Sequence, residues 1–393
     1  MKFNKFFVIV FCLIISIPFI INLCINHNQT NLVLKTENRY AQEFKPLEGL
    51  KVKYIASFFD NFDKYISDHM IYRDPIVSSF KDLSSYIPNL QLKLSNNAVI
   101  TGKNSFVFLS NKYNLVLDRH IKGDLSILLQ KAPNLKKYHE VVLKKIDATY
   151  ESSKKIGSDF FVLIAPDKHS IYCKQLPSYL SRDTCRKTQN ITKEYLKDLE
   201  KRQINFIYPF DELQSKSLQK QTYYKTDSHW NMLGAETAFF SLINKISEKG
   251  TVFNKEPFKK NDSYFLQEFA NHNLGDLKDL TNLNTNHPLD DKAYTVKLLV
   301  DPINKIYKEE NPLIKMDGKM KLKNENASNK LKVLVIHDSF SVALSVFFNL
   351  HFSDTYFISY YCKNDDDWIK EITNIINDYK PQLVIYETVE RQF

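Results

Sequence analysis

Apolar and polar positions divide the chain into regimes with different periods. Phe6 to Cys24 is apolar, broken only by Ser16, Pro18 and Asn22, and follows a start carrying Lys2 and Lys5. Residues 25–48 are polar and carry no clear period. From Gly49 to Ile87, Val52, Ile55, Phe58, Phe59, Phe62, Tyr65 and Ile66 recur at helical spacing, with Pro75 placed to break or restart that helix. Val99 to Leu109 reads as two short strands around a Gly-Lys-Asn turn. Residues 134–156 predict an amphipathic helix with Gly157 as its C-terminal cap.

Beyond that helix, short apolar runs alternate with helical stretches. Strands are predicted at Phe160–Ile164, Ile204–Tyr208, Leu331–Ile336, Tyr356–Ser359 and Leu383–Tyr386. Helices are predicted near 210–220, from Leu233 to Lys249, for about ten residues after Ser339, and near 366–379. Continuous apolar strands alternating with helices point to a parallel sheet covered on both faces. The expected fold is therefore a three-layer α/β sandwich with a mostly parallel sheet, preceded by one amino-terminal membrane helix. The expected organisation is anchor or signal at 1–24, linker at 25–48, a helical and short-strand part at 49–133, and a catalytic domain at 134–393. Residues 250–330 break the alternation and read as a loop-rich excursion.

The amino-terminal run is long for the core of a cleaved signal peptide and matches the roughly 18–20 residues that cross a bilayer. No A-x-A pattern follows it, and Leu23 stands before Cys24 where a lipoprotein site wants a small residue. It reads as an uncleaved inner-membrane anchor with Lys2 and Lys5 inside, which puts the rest of the chain in the periplasm or another extracytoplasmic space; a cleaved signal peptide is the alternative. Cys173 and Cys185 stand 12 positions apart and are candidates for a disulfide in an oxidising compartment. No Cys/His spacing suggests zinc, and no metal or cofactor is expected. With 8 Gly against 13 Pro and no GxGxxG or GxxxxGK[ST], the common nucleotide-binding enzymes are excluded. The net charge of +9 comes from 54 basic and 45 acidic residues. The lysines are scattered among Asn, Asp and Glu without interleaved aromatics, so the excess reads as a solvated surface rather than a nucleic-acid site.

Reacting groups in such a sheet gather at the carboxyl ends of the strands. Ser339 follows the most apolar run, where a strand-to-helix turn would expose its hydroxyl and aim its own N–H at an oxyanion. Taken alone, Asp338-Ser339 also fits a plain helix N-cap. Asp227 and His229 sit two apart in Thr226-Asp227-Ser228-His229-Trp230. In extended backbone both side chains point the same way, and the carboxylate can fix the tautomer of an imidazole base; the alternative is a turn with Asp227 as a cap. Together the two features supply nucleophile, base and orienter. Lys168 and His169, in the segment after the Phe160–Ile164 strand, are candidate substrate contacts on the same rim; a loop with an exposed Lys-His pair is the more ordinary alternative.

Several segments occur in an order that resembles the SGNH-hydrolase-like family of alginate O-acetylation proteins, the AlgJ/AlgX type, with the DHHW proteins as close relatives. They are Asp68-His69 with Tyr72-Arg73-Asp74, Gly102 to Leu109, Ala165-Pro166-Asp167-Lys168, Tyr224 to Trp230, His337 to Ser341, and Glu387 to Arg391. The resemblance spans roughly residues 50–393, and it implies Ser339, His229 and Asp227 as a catalytic triad. It also implies O-acetyl transfer to an exported or surface polysaccharide, with acetyl groups supplied by a membrane-bound O-acyltransferase partner. A polysaccharide acetyl esterase with the same triad, and a non-catalytic scaffold of an envelope polysaccharide complex, are the alternatives. Two departures stand out: His337 occupies a position where the family's serine motif usually opens with Gly, and no carbohydrate-binding module follows the last strand.

Overall fold

The computed structural model describes residues 98–177, 180, 184–272, 275–277, 291–299, 318–361 and 364–393, with short pieces between 33 and 68. The chain divides into two compact units, one of residues 1–94 with 278–286, the other of residues 95–277 with 287–393. The described parts of the first unit include an antiparallel pair, Val33–Leu34 with Arg39–Tyr40, and helical residues around Phe58 and Phe62, whose rings stack 5.7 Å apart. The expected anchor at 1–24 lies outside the described residues, as do His69, Tyr72, Arg73, Asp74 and Pro75. Among the described residues no helix is long and apolar enough to cross a membrane.

The second unit carries the site. Its elements that matter here are β1 (Val99–Thr101), β2 (Val107–Leu109), α1 (Val116–Lys122), α2 (Asn134–Lys155), β3 (Asp159–Ala165), α3 (Lys168–Ile171), α4 (Asn190–Lys201), β4 (Phe206–Ile207), α5 (Phe210–Ser217), α6 (Met232–Lys249), β5 (Tyr264–Asn271), β6 (Asp291–Leu298), β7 (Lys319–Lys323), β8 (Asn329–His337), α7 (Ser341–His351), β9 (Phe352–Ser359), α8 (Asp365–Tyr379) and β10 (Leu383–Val389). The six-stranded sheet has the order β4-β3-β10-β8-β9-β7. All neighbours are parallel except β7, which runs antiparallel to β9 at one edge.

Alternation along the strands explains the three layers. Phe161, Leu163, Val333, Val335 and Ile385 pack into one core with residues of α5, α6 and α7. Phe160, Val162, Leu334, Ile336 and Val384 pack into a second with residues of α2, α4 and α8. A strand buried on both faces favours apolar residues at successive positions, so the central parts of β3, β8 and β10 read as continuous runs rather than as alternation. The long helix α2 ends as its sequence predicts. Gly157 takes φ of +74°, and the N–H groups of Gly157 and Ser158 reach back to the carbonyls of Lys154 and Ser153, the two bonds of a Schellman end.

The region 250–330 is more regular than expected. It holds the antiparallel ribbon β5–β6, in full register from Tyr264–Leu298 to Asn271–Asp291, and the edge strand β7. Polar residues such as Gln267, Glu268 and Lys292 interrupt the apolar pattern there, because much of β5 faces solvent, and so hid the strands. Ile204–Tyr208 shortens to a two-residue edge strand, and the turn between β1 and β2 forms as expected.

Cys173 and Cys185 are joined, with their Cα atoms 5.2 Å apart. Closing a loop of this length stabilises the folded chain by up to about 3 kcal/mol, chiefly by restricting the unfolded chain. The expected result is an unreduced protein two hydrogens lighter than the reduced one by intact mass. The Cys173→Ala/Cys185→Ala chain should unfold at lower denaturant, with a slope equal or steeper as the unfolded chain expands.

Candidate active site

Three strand ends and one inserted loop build the site. The loop Tyr223–Asn231 leaves and re-enters the body through a bridge between Tyr223 and Trp230. Asn231 caps α6 by accepting the Gly234 N–H at 3.1 Å, while its side-chain amide donates to the carbonyls of Gln221 and Lys292. Gly234 has to lack a Cβ, which would sit 2.3 Å from the Thr222 carbonyl oxygen. Trp230 is buried, and its indole N–H donates to the Phe340 carbonyl at 3.0 Å. That bond ties the loop to the residue after Ser339.

On this frame the sequence-predicted side chains meet. His229 Nε2 lies 2.8 Å from Ser339 Oγ, and His229 Nδ1 lies 2.6 Å from Asp227 Oδ1. A carboxylate only accepts, so Nδ1 carries the proton and Nε2 is left to accept from the Ser339 hydroxyl. Asp227 Oδ1 also takes the His229 backbone N–H at 2.9 Å. The Phe340 ring, 4.9 Å from the imidazole, supports it from beside. His229 and Asp227 each keep about a fifth of their side-chain surface exposed, so the imidazole is within reach of a ligand.

Asp338 is no helix cap. Its Oδ1 takes the Phe340 N–H at 2.8 Å, and its Oδ2 takes the Val389 N–H at 2.7 Å and the Tyr360 hydroxyl at 3.1 Å. The helix α7 begins at Phe340 without a side-chain cap. The Asp338 N–H donates to the buried Glu387, which also accepts from Ser341. Burial and the neighbouring Asp338 charge push the Glu387 carboxyl far above the usual range. The turn is thus pinned from β10, Ser339 points at the imidazole, and among the described residues no acceptor takes the Ser339 N–H. None of residues 337–340 has positive φ, so the turn does not need a glycine's freedom. His337 is buried and its Nδ1 donates to the Asp338 carbonyl at 2.8 Å.

Lys168 and His169 are not rim contacts. Both are buried within the chain, because β3 leads directly into α3 beneath the loop. The Lys168 ammonium donates to the carbonyls of Tyr224 (3.2 Å), Lys225 (3.1 Å) and Asp227 (2.7 Å). Burial lowers its pKa to about 8 despite nearby Asp276 and Asp227. His169 stacks on His120 and donates to the Leu109 carbonyl, and burial lowers its pKa to about 3. Below them, Asp167 pairs with Arg391 and with His120, and Glu390 accepts from the Asp167 N–H, Ser170, Thr192 and Tyr208.

Asp276 carries no signal in the sequence pattern. It comes from the 250–330 excursion, donates its N–H to Asp227 Oδ2 at 3.0 Å, and accepts from the Ser228 N–H and hydroxyl at 2.7 and 2.6 Å. Its carboxylate stands 3.6 Å from His229 Nδ1. The approach requires Gly275, where a Cβ would lie 2.3 Å from that of Asp227. A glycine beside an aspartate, in a chain with so few glycines, was the one available hint. Two groups, His120/Asp167/Glu390 and Asp227/His229/Asp276, bring ligand atoms within 4.8 Å of one another. In both, hydrogen bonds already engage these side chains, so neither arrangement calls for a cation.

Burial disfavours a charged imidazole, but the Asp227 carboxylate, its hydrogen bond and the Asp276 charge outweigh it, so His229 titrates above the ordinary histidine value. The acidic limb of any reaction using His229 as base should therefore lie above the usual histidine range. Asp276→Asn removes one of the raising charges, so that limb should move to lower pH in a rate profile for 4-nitrophenyl acetate. Lys168→Met should leave the loop carbonyls without their donor and lower kcat about 100-fold, the scale of a displacement near 1 Å, in a protein that circular dichroism shows to be folded.

Residues 129–314 match the family model described as SGNH hydrolase-like domain, acetyltransferase AlgX. The match takes in Asp227 and His229, whereas Ser339 lies beyond it. Among solved structures, the O-acetyltransferase domain of Pseudomonas putida AlgJ is similar at 16% identity and a TM-score of 0.47, over 75% of this chain and 91% of that one. Bacillus cereus PatB1 is similar at 17% identity and 0.49, over 74% and 95%. Pseudomonas aeruginosa AlgX is similar at 12% identity and 0.45, over 74% and 62%. These three likenesses carry no argument about activity. No curated protein matches the chain. The family read from the motifs is borne out.

Proposed function

We propose, from the membership of residues 129–314 in the AlgX-type SGNH hydrolase-like acetyltransferase family, that this chain O-acetylates an exported or cell-surface polysaccharide through an acetyl-serine. The observation that carries the proposal is the unbroken contact series from Asp227 through His229 to Ser339, at 2.6 and 2.8 Å. Ser339 Oγ attacks the acetyl carbonyl of the donor while its proton passes to His229 Nε2. The oxyanion faces the Ser339 N–H, and the collapsing intermediate expels the donor's leaving group with the proton from His229. A sugar hydroxyl then gives its proton to the same nitrogen, attacks the acetyl carbon, and releases Ser339, which recovers the proton. Asp227 holds the imidazole in the productive tautomer and offsets the positive charge it gains. No cofactor is required by this cycle.

In the same reading, residues 1–24 anchor the chain in the inner membrane and the catalytic unit faces the extracytoplasmic side. A membrane-bound O-acyltransferase delivers acetyl groups to it. The Cys173–Cys185 disulfide supports an oxidising compartment.

Ser339→Ala should abolish both acetylation of the cell's polymer and labelling of the purified chain by a fluorophosphonate. Asp227→Asn should lower the acylation rate by up to about 10⁴-fold, the scale seen when a triad carboxylate is neutralised. Normal polymer acetylation with Ser339→Ala would sink the mechanism. The esterase alternative predicts free acetate as the main product when wild-type chain, an activated acetyl ester and polymer are combined; the transferase predicts acetylated polymer.

A further inference from the structure

A cleft of about 460 Å³ opens on the face covered by α2 and α8. Tyr138, Tyr360, Tyr361 and Tyr386 line it, with Asn134 and Lys137 at its mouth. The tyrosines form a graded series. Tyr386 and Tyr360 are buried, with parallel rings 5.7 Å apart, and Tyr361 follows at 4.9 Å with 48% of its surface exposed. Tyr138, also exposed, faces the same cleft from the first turns of α2.

This cleft joins the reaction centre through two short links. The Tyr360 hydroxyl donates to Asp338, the residue before Ser339. Gln392 accepts from the Tyr138 hydroxyl and donates to the Tyr361 oxygen at 3.1 Å, and the preceding residue, Arg391, lies over the Phe340 ring at 5.5 Å. Tyr360 and Tyr361 follow the carboxyl end of β9, as Ser339 follows that of the neighbouring strand β8. Planar rings edged with hydroxyls suit a ligand that has both apolar faces and many polar groups, as a pyranose ring does. Lys137 adds an exposed cation.

We infer that this tyrosine-lined cleft is the acceptor subsite: it binds sugar units of the polysaccharide next to the one whose hydroxyl is acetylated. The inference rests on the O-acetyltransferase reading above and names where its polymer lies. Tyr361 and Tyr138 stack on the sugar faces, Lys137 contacts the polar rim of the chain, and the Gln392 bridge sets the spacing of the two exposed rings.

The test uses affinity electrophoresis of the full chain in gels containing the total exported polysaccharide of the producing cells, deacetylated with mild alkali. Wild type and Ser339→Ala should both be retarded. Tyr138→Ala/Tyr361→Ala should raise the apparent dissociation constant about tenfold or more, given the contribution of two aromatic contacts. Tyr361→Phe, which keeps the ring, should retain most of the retardation. Lys197→Ala, an exposed lysine of α4 that does not line the cleft and pairs with Glu194, should match wild type and so exclude a general charge effect. Equal retardation of wild type and a folded double variant would overturn the proposal and leave the cleft to another occupant, such as a protein segment. Absence of retardation in wild type would overturn it as well. Retardation that depends on the tyrosines, in a chain whose Ser339 never acetylates, would instead refute the transferase reading and leave the glycan cleft standing.

Discussion

The 2.8 Å contact between His229 and Ser339 joins residues 110 positions apart, and no local rule of backbone geometry maintains it. Its two halves are held by different means. Ser339 is fixed by the sheet, through the Asp338 carboxylate and its bonds to Val389, Phe340 and Tyr360. His229 sits on a loop whose carbonyls turn inward, away from water, and that inversion needs a donor underneath. Lys168 supplies it with three bonds from one ammonium. Burying that charge is costly. The cost is offset because the carbonyls would otherwise be orphaned and because Asp227 and Asp276 lie near. A buried lysine that looks like a defect is the part that sets the position of the base.

The charges around the imidazole follow the same economy of contact. Two carboxylates, Asp227 and Asp276, face one ring nitrogen. Their mutual repulsion is relieved in different directions. Asp227 is held well below the usual carboxylate range by His229 and by backbone N–H groups, although burial opposes this. Asp276 is raised by burial and by the Asp227 charge. In the proposed cycle the pair favours the imidazolium formed when Ser339 loses its proton, the moment at which stabilisation would accelerate the step. The cost is a base that is more often protonated at rest.

Much of the sheet was legible because burial on both faces leaves a plain mark: β3, β8 and β10 carry the apolar runs Phe160–Ala165, Val333–Ile336 and Leu383–Tyr386. The cluster of Asp227, His229 and Ser339 was legible for a different reason, since Asp227-x-His229 and the serine after an apolar strand are local patterns that need only meet. What stayed hidden depends on contacts between distant segments. Lys168 and His169 follow a strand, as rim residues do, yet the loop at 223–231 folds over them. Asp276 lies in a polar segment without periodicity, and its role exists only once Gly275 lets the backbone approach Asp227. The ribbon β5–β6 escaped notice because one of its faces is solvated, which erases the apolar run. His337 looked like an obstacle to the serine turn, but the turn has no left-handed residue, and the imidazole adds a bond to the Asp338 carbonyl.

Under the proposed mechanism the same three side chains could hydrolyse or transfer, because water and a sugar hydroxyl present the same O–H to His229. Chemistry at Ser339 cannot choose between them. Concentration can: a hydroxyl held in line with the acyl carbonyl gains an effective molarity that free water does not have, on the order of 10⁵ M or more in well-oriented cases. Holding a sugar hydroxyl there requires contacts to the rest of the glycan, beyond the reacting centre. In the proposed acceptor subsite the exposed rings of Tyr138 and Tyr361, linked to the serine turn through Tyr360 and Gln392, make such contacts. On this view the triad supplies the acyl-enzyme, and the cleft beside it determines where the acetyl group goes.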